Sequence, residues 1–107
     1  MIPINIVQSD FGYNINFSLQ DLSGGVFNLT GYTSIFFRVQ KVNNTTLQFT
    51  HSMVVQSAIN GTCYYTVQAG DFPLSGIYNA QIQVNFASET VTFPDIQLTA
   101  IAKLPTN

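Results

Sequence analysis

Asp21-Leu-Ser-Gly-Gly-Val-Phe-Asn-Leu-Thr-Gly-Tyr-Thr-Ser-Ile-Phe-Phe-Arg-Val-Gln-Lys41 is the stretch whose reading decides the fold. It reads as a turn, a short apolar step, a second turn at Thr30-Gly31, and then a long strand. Along that strand Ile35, Phe37 and Val39 share one face, while Ser34, Arg38 and Gln40 share the other. A period of two over so many residues is the pattern of a strand buried on one side.

The alternation continues outward from this stretch. Upstream, Tyr13, Ile15, Phe17 and Leu19 alternate with Asn14, Asn16, Ser18 and Gln20, and Ile2, Ile4 and Ile6 mark a first strand. Pro3 has no N–H to give to a ladder, which places that strand at a sheet edge. Ser9-Asp10-Phe11-Gly12 and Ser23-Gly24-Gly25 are turns by composition.

Downstream, Val42-Asn43-Asn44-Thr45 breaks the pattern, Thr46–Thr50 resumes it, and Met53–Ile59 reads as a further strand. Asn60-Gly61 predicts a tight type I′ hairpin, in which both central residues need positive φ. Beyond it Cys63, Tyr65 and Val67 face inward. Ala69–Gly76 reads as a loop between sheets with room for one turn of helix. Tyr78, Ala80, Ile82, Val84 and Phe86 then alternate with amides, and Thr90–Phe93 and Asp95–Ala102 close the chain as two strands. About seven to nine short strands with turn signals between them, and no helical period, predict an all-β antiparallel β-sandwich. Residues 1–103 read as one domain and 104–107 as a C-terminal tail.

Composition narrows the function. The chain has 107 residues, 46% of them hydrophobic and 9 of them Phe, enough to form a core without disulfides or metal. Only 7% are charged, against a usual ~25%. No apolar run approaches the roughly 20 residues that span a bilayer. Asn, Gln, Ser and Thr replace the missing charge. A net charge of −2 with 3 basic residues leaves no cluster to bind phosphates, so no nucleic-acid partner is expected. Weak charge also leaves little repulsion between copies, which favours self-association. The start, Met-Ile-Pro-Ile-Asn, has neither the basic nor the long apolar stretch of a secretory signal. The Asn-x-Thr matches at Asn28, Asn43, Asn44 and Asn60 therefore read as chance in an Asn/Thr-rich chain.

The search for chemistry finds no catalytic signature. His51 reads as a polar loop histidine with no carboxylate near it in sequence. Cys63 alternates with buried positions and reads as a small apolar residue. Asp10, Asp21, Asp71, Glu89 and Asp95 are scattered through turns with no metal-ligand spacing. No enzyme activity, cofactor or metal is expected. Some aromatics break the inward pattern: Phe36 and Tyr64 lie among polar neighbours, Tyr13 and Tyr32 at turn edges, and Phe11 and Phe72 in loops. Either loops and sheet ends cover them, or they contact a neighbouring subunit, since aromatics lead interface cores. Phe36, Tyr64 and Tyr32 are the candidate interface residues. Stacking of exposed Tyr on sugars gives a carbohydrate-binding module as the alternative.

The order Asp10 … Tyr13-Asn-Ile-Asn-Phe-Ser-Leu-Gln-Asp21 … Gly24 … Asn28-Leu-Thr-Gly31 … Ile35-Phe-Phe-Arg-Val-Gln-Lys41 resembles the N-terminal immunoglobulin-like domain of phage baseplate upper proteins. The second half is similar too, with Asn60-Gly61 before Tyr64-Tyr-Thr-Val67, then Asp71-Phe72 and Ser75-Gly76-Ile-Tyr78. The likeness spans nearly the whole chain and is carried by turn and core residues. It implies an immunoglobulin-like sandwich and a non-enzymatic virion protein, made in the host cytoplasm, that docks to other virion structural proteins and to itself. Where that family carries charge on its outer strand faces, this chain carries amides and hydroxyls. The expected location therefore widens from baseplate or tail to a capsid decoration or accessory subunit.

Overall fold

The structure, a computed structural model, describes residues 2–21, 23–42 and 49–102. The predicted break at Asn43–Thr45, most of the strand resumed at Thr46, the Asn43 and Asn44 matches and the tail from Leu104 lie outside those residues. The described residues form eight strands: β1 (Ile2–Val7), β2 (Asn14–Ser18), β3 (Tyr32–Lys41), β4 (Phe49–Ser52), β5 (Val54–Ser57), β6 (Thr62–Thr66), β7 (Gly76–Phe86) and β8 (Thr90–Ile101). None of them is helical, so no helix is long and apolar enough to cross a membrane.

The strands form two sheets, ordered β1-β8-β7-β3-β4 and β2-β6-β5. This is the immunoglobulin arrangement, with β3, β7 and β8 at the C, F and G positions and β2, β6 and β5 at B, E and D. The inward faces are those the alternation predicts: Ile35, Phe37 and Val39 on β3, Cys63 and Tyr65 on β6, and Tyr78, Ala80, Ile82 and Val84 on β7 are all buried. Aromatic rings join the layers. Phe37 of one sheet stacks on Tyr65 of the other at 5.0 Å between centroids and lies 5.6 Å from Phe17.

A tyrosine corner ties the crossing between sheets. Tyr78, fully buried near the start of β7, donates its hydroxyl to the Leu74 carbonyl at 2.7 Å. A tyrosine at that place, bonded a few residues upstream, is a hallmark of immunoglobulin-like sandwiches.

The structure corrects several expectations. The sandwich is not wholly antiparallel, because β1 runs parallel to β8 with Ile2 opposite Ile96 and Val7 opposite Ile101. Chain direction along adjacent strands leaves no mark in a hydrophobic pattern. The two predicted final strands are one, since a bulge absorbs Pro94: Ala80 pairs with Ile96 and Ile82 with Phe93, leaving Pro94 and Asp95 opposite Gln81. The Ala69–Gly76 loop contains no helix, and Phe72 within it is buried.

The Asn60-Gly61 turn is not type I′. Only Gly61 has positive φ, at 67°, and its N–H donates to the Ala58 carbonyl at 3.2 Å. Ser57 opposes Thr62, so the loop has four residues rather than two. Loops of that length form around ordinary type I turns. A Cβ on Gly61 would collide with the Phe27 carbonyl oxygen and stand 3.1 Å from that of Leu19. Gly61 is thus needed for both its backbone angle and its lack of a side chain.

Gly61→Ala is expected to destabilise the domain by roughly 2–4 kcal/mol, combining left-handed strain with overpacking. Thermal unfolding followed by circular dichroism would show it as a melting temperature lower by about 10 °C or more. A change within 2 °C of wild type, on the order of a surface substitution, would show that the turn relaxes around the methyl group.

Candidate functional site

The candidate interface residues do not share a surface. Phe36 lies on β3 between inward-facing Ile35 and Phe37, so its half-buried ring points out of the five-stranded sheet, flanked across the ladder by Gln83 and Ser52. Tyr64 precedes inward-facing Tyr65 on β6 and points out of the other sheet, flanked by Asn16 and Val54. The two rings therefore stand on opposite outer faces of the sandwich. Tyr32, at the start of β3 opposite Phe86, is exposed at one end. One flat partner surface cannot meet both Phe36 and Tyr64; alternation on each strand was legible in the sequence, whereas the assignment of strands to sheets was not.

What the sequence reading missed is a polar cluster that joins β4, β6 and the loop around Asp71. His51 is not in a loop but on β4, where its ring stacks on Tyr65 at 6.0 Å and lies tilted against Phe49 at 5.0 Å. Its Nε2 is 3.5 Å from Oδ1 of Asp71, a carboxylate twenty residues away in sequence and only 5% exposed. The other carboxylate oxygen, Oδ2, accepts a short hydrogen bond from the Tyr65 hydroxyl and a second, at 2.8 Å, from the Gln68 N–H. Burial first, and then this bond and the Asp71 charge, raise the Tyr65 hydroxyl far above its ordinary value. Asp71 thereby ties β6, the crossing loop and β4 together. Every partner in the cluster holds another in place, which is the chemistry of a lock.

Cys63 cannot serve His51 as a nucleophile. Its thiol is fully buried, and burial pushes it up to about 11, so the thiolate is absent at neutral pH. Tyr13, whose buried hydroxyl has no hydrogen-bond partner among the described residues, is raised by burial and then by the charges of Asp10 and Asp71. Among the described residues no three His, Cys, Asp or Glu side chains gather as a metal site would need.

Several exposed apolar residues lie toward the two ends of a molecule measuring 50 × 27 × 23 Å, while Val54, 49% exposed, lies beside Tyr64 on the outer face of β5. At one end Val7 opposes Ile101 in the parallel ladder, the Gln8 N–H donates to the Ile101 carbonyl, and the Ser9 N–H donates to that of Phe72. The Gln8 side chain reaches the Pro73 carbonyl at 2.9 Å. These bonds gather Val7, Ile101, Leu74 and, just beyond, Phe11, which is 63% exposed, into one apolar cap. At the other end stand Val26, Tyr32 and Ile59, the last 71% exposed. Exposed apolar clusters of this kind mark contact surfaces. No family model and no curated protein matches the chain.

Tyr65→Phe removes one donor from a buried carboxylate and is expected to cost about 1–3 kcal/mol in urea titration. Combined with Asp71→Ala, the loss should be less than the sum of the singles, because both act on one bond; strict additivity would show that the lock does not couple them. Alkali gives a second check. A thiol whose folded-state value lies above its ordinary one contributes stability that is complete below the ordinary value of 9.0 and lost as pH rises through about 11. Stability of the wild type should therefore fall across that window, and Cys63→Ala should fall less steeply; parallel curves would remove Cys63 as the cause.

Proposed function

We propose that this chain is a non-enzymatic structural subunit of a bacteriophage virion, made in the host cytoplasm, that docks to other virion proteins and to copies of itself. The observation that carries the reading is the apolar cap of Val7, Phe11, Leu74 and Ile101 on a domain with so little charge. Apolar side chains this exposed are stable in water only when their patch is small or covered. The resemblance of its turn and core motifs to those of baseplate upper proteins supports a phage particle as the place where it is covered. The polar cluster around Asp71 fits a scaffold held rigid at the crossing loop, so that the end it supports can be presented to a partner.

A carbohydrate platform needs several rings facing solvent together. Phe36 and Tyr64 face opposite ways, which favours protein contact over sugar stacking. Within a particle, baseplate, tail and capsid positions are all compatible with an apolar end and a neutral surface.

Mass spectrometry of purified particles should find the protein at a fixed ratio to the major structural proteins. The triple change Phe11→Ser, Leu74→Ser and Ile101→Ser, which alters exposed side chains, should leave the domain folded and lower its incorporation by roughly tenfold or more. Alanine at Phe36, Tyr64 or Tyr32, each taken singly, reports whether a sheet face or the opposite end also makes contact. Absence of the protein from particles, or binding to a glycan array with unaltered oligomeric state, would overturn the reading.

A further inference from the structure

The sheet β2-β6-β5 has two edges, and the one formed by β2 is open. In the immunoglobulin arrangement a further strand, A, lies against B on that edge. Here no described strand takes that place. The Val67 N–H donates to the Tyr13 carbonyl at 2.9 Å and the Leu19 N–H to the Gly61 carbonyl at 2.9 Å, so the odd-numbered positions bond to β6. By the alternation of an antiparallel ladder, the amides and carbonyls of Asn14, Asn16 and Ser18 point away from it, toward the open edge.

Other edges carry devices that discourage pairing. β1 has Pro3, and β5 has a bulge between Val55 and Ser57. The first half of β8, which runs past the start of β1, carries Pro94 in its own bulge. β2 has no proline, no bulge and no charged residue. Edges left in that state are templates for another strand.

Beside β2 the two sheets part. A cleft of about 360 Å³ lies between residues 16–20 on one side and Ile82, Phe93, Pro94 and Ile96 on the other, and none of these residues is charged. A water molecule takes about 30 Å³, so the space holds several aliphatic side chains. A second folded copy pairing through its own β2 would satisfy the edge but leave the cleft empty, because its Ile15 and Phe17 already lie in its own core. A single strand satisfies both. Its backbone meets Asn14, Asn16 and Ser18, and its alternate side chains enter the cleft. β8 itself runs away from the cleft, from Phe93 beside it to Ile101 at the opposite end.

We propose that an extended, uncharged segment of another polypeptide, with alternate residues apolar, adds to β2 and fills the cleft beside it. This rests on the reading of the domain as an assembly subunit and names the chemistry of one partner. The probe is the peptide acetyl-Thr-Ile-Thr-Val-Thr-Ile-Thr-amide, with a second peptide carrying Pro in place of the central Val as control. In nuclear magnetic resonance of the whole chain, the first peptide should shift the methyl groups of Leu19, Ile82 and Ile96. It should also slow exchange of the Asn16 and Ser18 amides by roughly tenfold, and the proline peptide should do neither. Asn16→Pro deletes an N–H that bonds to nothing in β6, so the variant should fold and bind the peptide at least about tenfold more weakly. If that variant does not fold, Ser18→Pro replaces it, and the pair of peptides needs no change to the protein.

Shifts confined to β4 or β5, no shift at millimolar peptide, or a dimer through β2 that peptide does not displace would each overturn the proposal. Particle incorporation untouched by Asn16→Pro sinks the docking strand and leaves the assembly role standing. Peptide binding by a protein absent from particles does the reverse.

Discussion

Phe37 is the point on which the two sheets close. Its ring lies against Phe17 and Tyr65, both from the opposite sheet, and against Phe49 at 6.3 Å on the neighbouring strand. Offset and tilted aromatic pairs at these distances add about 0.5–1.5 kcal/mol each beyond the area they bury. Loss of a ring so enclosed costs on the order of 3–5 kcal/mol, a large share of the 5–15 kcal/mol that holds a domain of this size together. Tyr65 extends the contact outward, from Phe37 in the core to Asp71 and His51 at the rim. The packing of the core and the geometry of the crossing loop are therefore set by one chain of touching groups.

That chain explains why a carboxylate can be buried in a protein so poor in charge. Asp71 receives the Tyr65 hydroxyl and the Gln68 N–H and has His51 close by. A buried charge is tolerable when its lone pairs are met in this way and costly when they are not. Tyr78 does the equivalent for the far side of the loop through the Leu74 carbonyl. With both ends of the crossing held, Leu74 between them is fixed in an exposed position, 57% open to solvent, and can serve as part of an apolar cap. At the opposite end Asp21 performs a smaller version of the same task. Its Oδ1 accepts from the Ser23 hydroxyl at 2.7 Å and from the N–H groups of Ser23 and Gly25, and these bonds lower its pKa.

The surface follows from the same economy of charge. With amides and hydroxyls covering most of the outer faces, little charge is left to steer an approaching molecule. Apolar ends and backbone edges carry specificity only through shape and hydrogen-bond register.

The period of two along β2, β3, β6, β7 and β8 was enough to give the class of fold and nearly every core residue, because a residue's face depends on its own strand and its nearest neighbours. Phe36 and Tyr64 were legible as misplaced aromatics for the same reason. The direction of β1, the pairing of strands into sheets, and hence the placement of those two rings on opposite faces, depend on contacts between residues far apart in the chain. So does the meeting of His51 with Asp71, which no local spacing could announce. Phe72 was correctly read as a loop aromatic, but its burial was left open because burial in an irregular segment has no period. The open edge of β2 has the same origin: a strand's sequence reports which side chains face the core, and only its neighbours in the folded sheet determine whether its backbone is satisfied.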